Sequence, residues 1–295
     1  MKVFITGGTG FIGRHAVEAL LEHGFTVLML IRDRKTEYPV HKNLHVIQGN
    51  LSRLDAIAEE VKAFRPGAVI HLAWEGLPDY SFDVCEKNLL YGHMLLKFCS
   101  DTCCRRLIVT GSCWEYETKQ GMVSEKDPLS TTNAFRASKN AFRSLAEVFC
   151  KDNNISFHWL RLFYVYGPGQ KAESLIPHII YSVKKGEQPY LTGAHNENDF
   201  VYVKDVAEAI VEVLKKEPLQ SVLNIGAGKA VKVLDVLKLI AKEMGFSVNE
   251  SIYEKSINSS CFWADINRIT TLTDWNPRYE ISDGIKEMLK YNKCI

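Results

Sequence analysis

Short apolar runs alternate with helix-like segments along the first two-thirds of the chain. An apolar run at Lys2–Thr6 predicts a first strand, and apolar residues at helical spacing predict a helix over 11–23. Gly24 follows this helix and is expected to end it, because glycine readily adopts a positive φ. Thr26–Ile31 is almost continuously apolar, which is typical of a strand that is covered on both faces.

The alternation of strands and helices predicts a parallel, doubly wound sheet. Further strands are predicted at 44–48, 68–72, 106–110 and 156–161, with helices near 52–64, 83–100 and 134–150 between them. Beyond residue 167 the pattern is less regular, and it predicts a helix over 174–185, a short strand near 189–192, a strand over 201–203, a helix over 206–216 and a strand over 222–225.

We therefore predict the α/β class, with a Rossmann-like doubly wound parallel sheet and a smaller, interleaved C-terminal substrate lobe. The dinucleotide-binding lobe is expected to span residues 1–166 and to continue over about 200–228. The smaller lobe is expected to comprise mainly residues 167–199 and 229–295.

Composition and charge narrow the possible functions. The 295 residues are 46% apolar and 24% charged, which supplies enough apolar side chain for a sizeable core. Thirty-six basic and 35 acidic residues leave a net charge of +1, so neither nucleic acid nor an anionic membrane is expected as a partner. No apolar run approaches the ~20 residues of a membrane helix, and the eight cysteines match no zinc template. We expect a cytoplasmic protein without a bound metal.

Three glycines stand between the first predicted strand and the first predicted helix, in the sequence TGGTGFIG at 6–13. Gly7 permits a tight turn, Gly10 lets the backbone approach a pyrophosphate, and Gly13 lets the helix pack closely on the sheet. The N-terminus of the helix supplies free N–H groups and the positive end of a dipole. In this position between strand and helix, the glycines predict a nucleotide-binding turn.

The G-x-x-G-x-x-G spacing resembles that of the extended short-chain dehydrogenase/reductase family, whose members act mainly on nucleotide sugars. The resemblance covers nearly the whole chain, and further motifs follow in the family's order: VIHLA at 69–73, Asn88 in the next helix, RLFYVYGPG at 161–169, DFVYVKDVA at 199–207, and the tail elements AD at 264–265, WNP at 275–277 and GI at 284–285. Within the family the chain most resembles the 4-keto-6-deoxy nucleotide-sugar reductases, such as those that form dTDP-fucose or CDP-abequose.

The resemblance implies a nicotinamide dinucleotide cofactor. The residues expected to bind it are Gly7, Gly10, Phe11, Ile12, Gly13, Arg32, Asn50, Leu51, Leu72, Ala73, Trp74 and Lys139. An acid at the end of the second strand normally binds the ribose hydroxyl of NAD, whereas an arginine suits the 2′-phosphate of NADP. Here Ile31 holds the strand-end position, Arg32 follows it, and Asp33 falls two positions past the usual acid. We favour NADP(H) and keep NAD as the alternative.

In this family a Ser, a Tyr and a Lys carry the chemistry. The Tyr exchanges a proton with the substrate oxygen, and the Lys binds the ribose and lowers the pKa of the Tyr. By resemblance Ser112 and Lys139 hold the Ser and Lys positions, but Phe135 holds the Tyr position. One helical turn separates 135 from 139, so only the phenolic oxygen is missing. An engineered replacement and natural divergence both explain Phe135, and Tyr116 or Cys113 would be the first substitute donors to test.

The residues after Ser112 narrow the reaction. Family dehydratases carry a Glu two positions after the Ser or Thr, and enzymes that make GDP-fucose carry a Cys there, but this chain has Trp114. We predict NADPH-dependent reduction of the C4 keto group of a dTDP-, CDP- or GDP-linked 4-keto-6-deoxy sugar, in the biosynthesis of deoxysugars and surface polysaccharides. The alternatives are a nucleotide-sugar 4-epimerase with tightly bound NAD and a non-catalytic dinucleotide-binding protein.

The resemblance also implies that the smaller lobe binds the nucleotide diphosphate-sugar. The residues expected to contact it are Cys113, Trp114, Tyr164, Ser174, Leu175 and Lys255. A diphosphate needs cations, and Arg161, Lys171 and Lys255 are candidates. We expect Lys255 and Leu175 to line one cavity with Ser112, Trp114 and Phe135, and we expect the protein to form a homodimer.

Overall fold

The computed structural model describes residues 1–33, 38–118, 120–216, 221–254 and 260–295. The strands within these ranges are β1 Lys2–Thr6, β2 Thr26–Ile31, β3 Leu44–Gln48, β4 Ala68–His71, β5 Arg106–Ser112, β6 Gln120–Val123, β7 Ser156–Leu162, β8 Tyr164–Tyr166, β9 Glu197–Asn198, β10 Phe200–Tyr202, β11 Ser221–Ile225, β12 Val231–Lys232 and β13 Cys261–Ala264. The α-helices are α1 Phe11–Glu22, α2 Ala58–Phe64, α3 Phe82–Asp101, α4 Ala134–Asp152, α5 Leu175–Lys184, α6 Val203–Lys215, α7 Val233–Glu243, α8 Asn267–Leu272 and α9 Ile281–Tyr291.

Seven parallel strands of the described chain form the central sheet, in the order β11-β7-β5-β4-β1-β2-β3. Helices α1 and α6 cover one face, and α2, α3 and α4 cover the other. The strand order changes direction between β1 and β4, and ligands of such sheets bind beyond the carboxyl ends of the strands at this point. The predicted doubly wound parallel sheet is confirmed.

The first βαβ unit follows from its sequence. The side chains of Val3 to Thr6 are buried, as expected for a strand covered on both faces. Helix α1 ends at Glu22, and Gly24, just past its C-cap, has a φ of +76°. The N–H of Phe25 reaches back to the carbonyl of Leu20 at 2.9 Å, and the N–H of Gly24 donates to Leu21 at 3.0 Å. This pair of bonds is the Schellman arrangement that a glycine at a helix end favours.

Two family motifs join the tail of the chain to helix α6. The carboxylate of Asp205 accepts the backbone N–H groups of Arg278 and Tyr279 at 2.9 and 3.1 Å. The indole N–H of Trp275 donates to the carbonyl of Asp205 at 2.9 Å. The matched DVA and WNP motifs are therefore structural, because they attach the C-terminal segment to the sheet lobe.

A second group of elements lies mainly beyond β7, and it also includes the earlier strand β6. Helices α5, α7 and α9 share a separate apolar core, and β12, β9, β13 and β6 form a small sheet. The short strands β8 and β10 pair in parallel and lead from one group to the other. The domain boundaries given above stay a prediction. Within the described residues, no helix is long and apolar enough to cross a membrane.

The predicted strand near 189–192 is wrong, because this segment is irregular. Pro189 has no N–H to give to a strand ladder, and its carbonyl instead accepts the hydroxyl of Tyr253 at 2.8 Å. The helix predicted over 52–64 also differs, since a 3₁₀ turn at Leu51–Ile57 precedes α2. Helix α6 begins three residues earlier than the predicted 206, directly after β10.

Candidate active site

The glycine turn between β1 and α1 has no room for larger residues. Gly7 has a φ of +77°, and a Cβ there would lie 2.6 Å from the backbone nitrogen of Ala73. A Cβ on Gly13 would lie 2.0 Å from the carbonyl oxygen of Gly7. The turn therefore brings the N-terminus of α1 against the sheet, where the first N–H groups of a helix point outward toward an anion.

A cavity of about 680 Å³ runs from this turn to the end of β5. The predicted cofactor residues that line it are Gly7, Gly10, Phe11, Ile12, Gly13, Arg32, Leu51, Leu72, Ala73, Trp74 and Lys139. Asn50 is not among the lining residues, because its side-chain oxygen accepts the N–H of Ser52 at 3.1 Å and caps the 3₁₀ turn. The glycine turn, the open helix end and the volume of the cavity fit a dinucleotide.

Arg32 lines this cavity beside the carboxylate of Glu75, which no motif in the sequence indicates. Its guanidinium is 3.3 Å from Glu75, which also lies 3.0 Å from the ammonium of Lys87. The buried amide of Asn88 holds the backbone of Glu75 through bonds of 2.8 and 2.9 Å. The Arg32 side chain is 71% exposed, so its pairing with Glu75 is weak and a stronger anion can displace it.

Ser112 ends β5 and begins a short 3₁₀ turn at Cys113–Glu115. Its backbone N–H donates to the carboxylate of Glu115 at 2.7 Å, and its hydroxyl accepts the N–H of Trp114 at 3.2 Å. Glu115 is fully buried, and it also accepts from the indole N–H of Trp159 at 2.9 Å. This capping box fixes the backbone that carries Ser112.

Arg161 is the buried partner of Glu115. Its Nε donates to the carboxylate at 2.9 Å, and its Nη1 donates to the hydroxyl of Tyr116 at 3.0 Å. Only 1% of Arg161 is exposed, and it lines neither the first cavity nor the second cavity that adjoins it at Ser112. The expectation that Arg161 binds a diphosphate is therefore wrong. Its guanidinium instead neutralises the buried carboxylate of Glu115.

Lys139 projects from α4 into the end of the first cavity. Its ammonium donates to the carbonyl of Thr110 at 2.9 Å and lies 4.3 Å from the centre of the Trp74 ring. Only 7% of the residue is exposed, and this burial lowers the pKa of Lys139 to about 8, while the Glu115 carboxylate acts in the opposite direction. With this pKa the Lys139 ammonium begins to lose its proton slightly above neutral pH.

Phe135 lies one helical turn before Lys139 and lines the same cavity. Its ring packs edge-to-face against Trp74, Tyr80 and Trp114, at centroid distances of 5.2, 5.1 and 6.4 Å. These contacts bury the ring to 8% exposure. At this position the chain offers an aromatic surface and no proton.

A second cavity of about 310 Å³ adjoins the first at Ser112 and Phe135. The predicted substrate residues Cys113, Trp114, Tyr164 and Leu175 line it, whereas Ser174 lines the first cavity. None of the described residues around the second cavity is Lys, Arg, Asp or Glu. The structure thus brings together four of the five residues expected to share one cavity, and Lys255 lies outside the described residues.

The loop after β4 closes one side of both cavities. Its carbonyl at Leu77 accepts the ammonium of Lys171 at 2.6 Å, and Lys171 lines the first cavity. Tyr80, in the same loop, lines both cavities. The sequence does not point to Tyr80, because a loop residue without a motif or a periodic pattern gives no local signal.

Comparisons with known proteins agree with this arrangement. The model of the NAD dependent epimerase/dehydratase family matches residues 3–226. CDP-abequose synthase of Salmonella muenchen is 26% identical and covers 98% of this chain and 97% of its own length. The structure of MoeE5 in complex with UDP-glucuronic acid and NAD is 26% identical, with a TM-score of 0.84 over 99% of each chain. UDP-glucose 4-epimerase of Thermus thermophilus, in complex with NAD, is 25% identical, with a TM-score of 0.84 over 99% of each chain.

Proposed function

The chain belongs to the NAD dependent epimerase/dehydratase family of extended short-chain dehydrogenases/reductases, and we propose that it acts as an NADPH-dependent nucleotide-sugar 4-ketoreductase. It is an enzyme that modifies nucleotide sugars, and its substrate is a 4-keto-6-deoxy sugar linked to dTDP, CDP or GDP. The observation that carries the proposal is the meeting of the two cavities at Ser112 and Phe135, beside Lys139. The likeness to CDP-abequose synthase supports it.

The lining of the second cavity supports a deoxygenated sugar. Trp114, Phe163, Tyr164 and Phe200 surround it with aromatic surface, and its described lining includes no charged side chain. An apolar methyl group at C6 fits such a wall. The carboxylate of a uronic acid, such as the one bound to MoeE5, needs a cation or several donors when it is buried.

Ser112 and Lys139 keep their proposed roles at the junction. The hydroxyl of Ser112 donates a hydrogen bond to the C4 carbonyl oxygen and stabilises the negative charge that develops there. Lys139 binds the ribose hydroxyls through an ammonium that the Thr110 carbonyl already orients. When bound, the dinucleotide supplies the hydride. The alkoxide still needs a proton, which Phe135 cannot give.

The absence of a phenol at 135 favours reduction over epimerisation. A 4-epimerase must first remove a proton from the C4 hydroxyl, and this needs a base that is already deprotonated. Reduction begins at a ketone and needs only a group that arrives protonated. The likeness to UDP-glucose 4-epimerase keeps epimerisation as the second candidate, with permanently bound NAD as its signature.

Arg32 supports NADPH as the cofactor. It lines the adenosine end of the first cavity, and its exposed pairing with Glu75 leaves it free to meet a phosphate bearing nearly two charges. Glu75 keeps Lys87 as a partner when Arg32 turns away, so its carboxylate is not left alone.

Helices α3 and α4 support the proposed homodimer. They pack side by side and expose apolar residues one turn apart, Leu90 and Met94 on α3 and Leu145 and Val148 on α4. A two-fold interface uses the same patch twice, so this pair of helices would meet its copy. Sedimentation velocity should give twice the monomer mass for the protein and the monomer mass for Val148→Glu; a monomeric parent protein would contradict the proposal.

The test of the proposed function follows NADPH absorbance with a panel of 4-keto-6-deoxy sugars linked to dTDP, CDP and GDP. We expect stoichiometric oxidation with at least one of them and none with UDP-glucose. Turnover of UDP-glucose to its C4 epimer without net change in NADPH would support the epimerase. Cofactor binding without any turnover, also in the Phe135→Tyr variant, would support the non-catalytic alternative.

A further inference from the structure

Among the described residues that line both cavities, Tyr80 carries the one phenol. Of the described residues that line both cavities, Tyr80, Ser112 and Gln170 have polar side chains. A ketone reduced by a dinucleotide must lie where the two cavities meet, so its oxygen faces these residues. The amide of Gln170 cannot supply a proton to an alkoxide, and the alcohol of Ser112 is a weaker acid than a phenol.

We propose that Tyr80 donates the proton that Phe135 cannot, so that the chain performs its reaction with a proton donor on the loop after β4. This inference rests on the proposed function. Its geometric basis is the contact between the two rings: the Tyr80 ring lies 5.1 Å from that of Phe135, edge-to-face, and 5.7 Å from that of Trp114. Tyr80 and Phe135 also both line the two cavities, so a phenol on residue 80 belongs to the same junction as a phenol on residue 135.

The other hydroxyls near the site are less suitable. Tyr116 is fully buried, donates to Asn224 at 2.6 Å and lines neither cavity, so the structure excludes it as the substitute donor that the sequence suggested. Tyr164 and Tyr166 line only the second cavity. Cys113, the other substitute, also lines only that cavity and is buried.

The protonation state and the exposure of Tyr80 suit the reductive direction. Burial of part of its ring raises the pKa of Tyr80, with a smaller effect from the Cys85 thiol, so the phenol holds its proton at neutral pH. The ring is nevertheless 43% exposed. Water can therefore return a proton to the phenolate after each turnover.

The step balances in atoms and electrons. A reduced dinucleotide held by the first cavity would supply the hydride to the C4 carbon of the sugar and would itself be oxidised. The C4 oxygen gains the Tyr80 proton, and the product is the C4 alcohol. The phenolate left on Tyr80 takes a proton from solvent, which closes the cycle.

Tyr80→Phe is the direct test, because it keeps the ring and removes only the hydroxyl. In the protein with Phe135, we expect kcat to fall at least about 10-fold with KM nearly unchanged, since an acid in place typically contributes 10²–10⁴ and Tyr80 lacks the neighbouring ammonium that activates the family's Tyr. The matched control is Tyr190→Phe, which removes a hydroxyl from a ring that is 81% exposed and lines neither cavity. Its kcat should not change.

The Phe135→Tyr background separates the roles. With a phenol restored at 135, Tyr80→Phe should lower kcat less than about 3-fold, because the two donors substitute for each other. An equal loss in both backgrounds, or a loss that appears only in KM, would mean that the Tyr80 hydroxyl binds the sugar and is not the donor. Activity in the Phe135 protein without any effect of Tyr80→Phe would overturn the inference while leaving the proposed function intact.

A binding experiment gives a readout without turnover. In protein labelled with ¹³C at the tyrosine ζ-carbon, the resonance that Tyr80→Phe removes should shift when the product nucleotide sugar is added. Its alkaline titration should move as well. If the chemical shift of this resonance does not change when the product is added, the inference is overturned. If the protein binds no nucleotide sugar at all, the proposed function is contradicted instead.

Discussion

The two cavities that meet at Ser112 are built in different ways. The first is shaped by backbone: the turn at 6–13 and the open end of α1 form its floor, and Gly7 and Gly13 have no space for a side chain. The second is shaped by side chains, chiefly aromatic ones such as Trp114, Tyr164 and Phe200, which come from distant parts of the chain. A backbone-built site tolerates little change, whereas a side-chain-built site can change its chemistry through single substitutions.

The largest expected effect lies where the cavities join. Phe135→Tyr should raise kcat at least about 100-fold, because it places a phenol one turn from the Lys139 ammonium and at the ketone. The measurement is NADPH oxidation with the best sugar of the panel. Calorimetric titration should give an unchanged cofactor affinity as its control. If kcat stays the same although the parent protein is active, the proton transfer that we assign to this junction does not limit turnover.

On the backbone side, Gly13→Ala should weaken cofactor binding about 10- to 100-fold. The added methyl would lie 2.0 Å from the Gly7 carbonyl, and relief of such overpacking typically costs about 1–3 kcal/mol. Gly67→Ala is the matched control, because a Cβ there would lie 3.1 Å from the flexible Met1 side chain and at ordinary contact distance, 3.7 Å, from the backbone oxygen of Lys2. Calorimetric titration checks both variants. Equal affinities for Gly13→Ala and Gly67→Ala would show that the turn is not the phosphate site.

A smaller effect is expected at the adenosine end. NADPH should bind at least about 10-fold tighter than NADH, a difference of ~1.4 kcal/mol, because Arg32 is available to the 2′-phosphate. Arg32→Ala should remove this preference, and Lys62→Ala, a remote exposed cation, should keep it. Two findings from titration would contradict this prediction: equal affinities for the two cofactors in the parent, or an NADH preference that Asp33→Ala relieves.

The smallest effect is a pH dependence. Since burial lowers the pKa of Lys139 to about 8, the free protein loses this ammonium as the pH rises through 8. If Lys139 binds the cofactor as a cation, the dissociation constant should rise above pH 8 by at most about 10-fold per pH unit, the limit for one linked proton. Lys139→Met should bind more weakly at pH 7 and show a flat profile between pH 7 and 9. A parent profile as flat as that of the variant would remove Lys139 from the cofactor site.

The contrast between the cavities also explains what the sequence predicts. The glycine turn is a local motif, and its expected cofactor residues line one cavity apart from Asn50, which caps a turn instead. The ion pair between Glu115 and Arg161 joins residues 46 positions apart, and no pattern along the chain signals it. For this reason the role of Arg161 as the partner of a buried carboxylate cannot be predicted from its neighbours in the sequence, although its place within a fully buried strand argues against a phosphate contact.

The second cavity is harder to predict for the same physical reason. The family resemblance predicts that Trp114 and Leu175 line one cavity, and the structure brings them together. Tyr80 arrives from an irregular loop whose position depends on the packing of its aromatic neighbours and on the bond between Lys171 and Leu77. Such long-range contacts leave no mark on local periodicity, and the donor that we infer lies among them.

The most direct test of the central claim, hydride transfer to C4 of a 4-keto sugar, is isotopic. The Phe135→Tyr variant and the parent protein should each be incubated with NADPH deuterated at the 4R or the 4S position and with the 4-keto-6-deoxy sugar nucleotides. We predict that one of the two labelled cofactors, the same for both proteins, places deuterium on C4 of the product, with one NADPH consumed per sugar. A product with no deuterium at C4 from either labelled cofactor would contradict the account. So would a 4-keto sugar that the Phe135→Tyr variant leaves unreduced, while the same variant converts UDP-glucose to its C4 epimer without consuming NADPH.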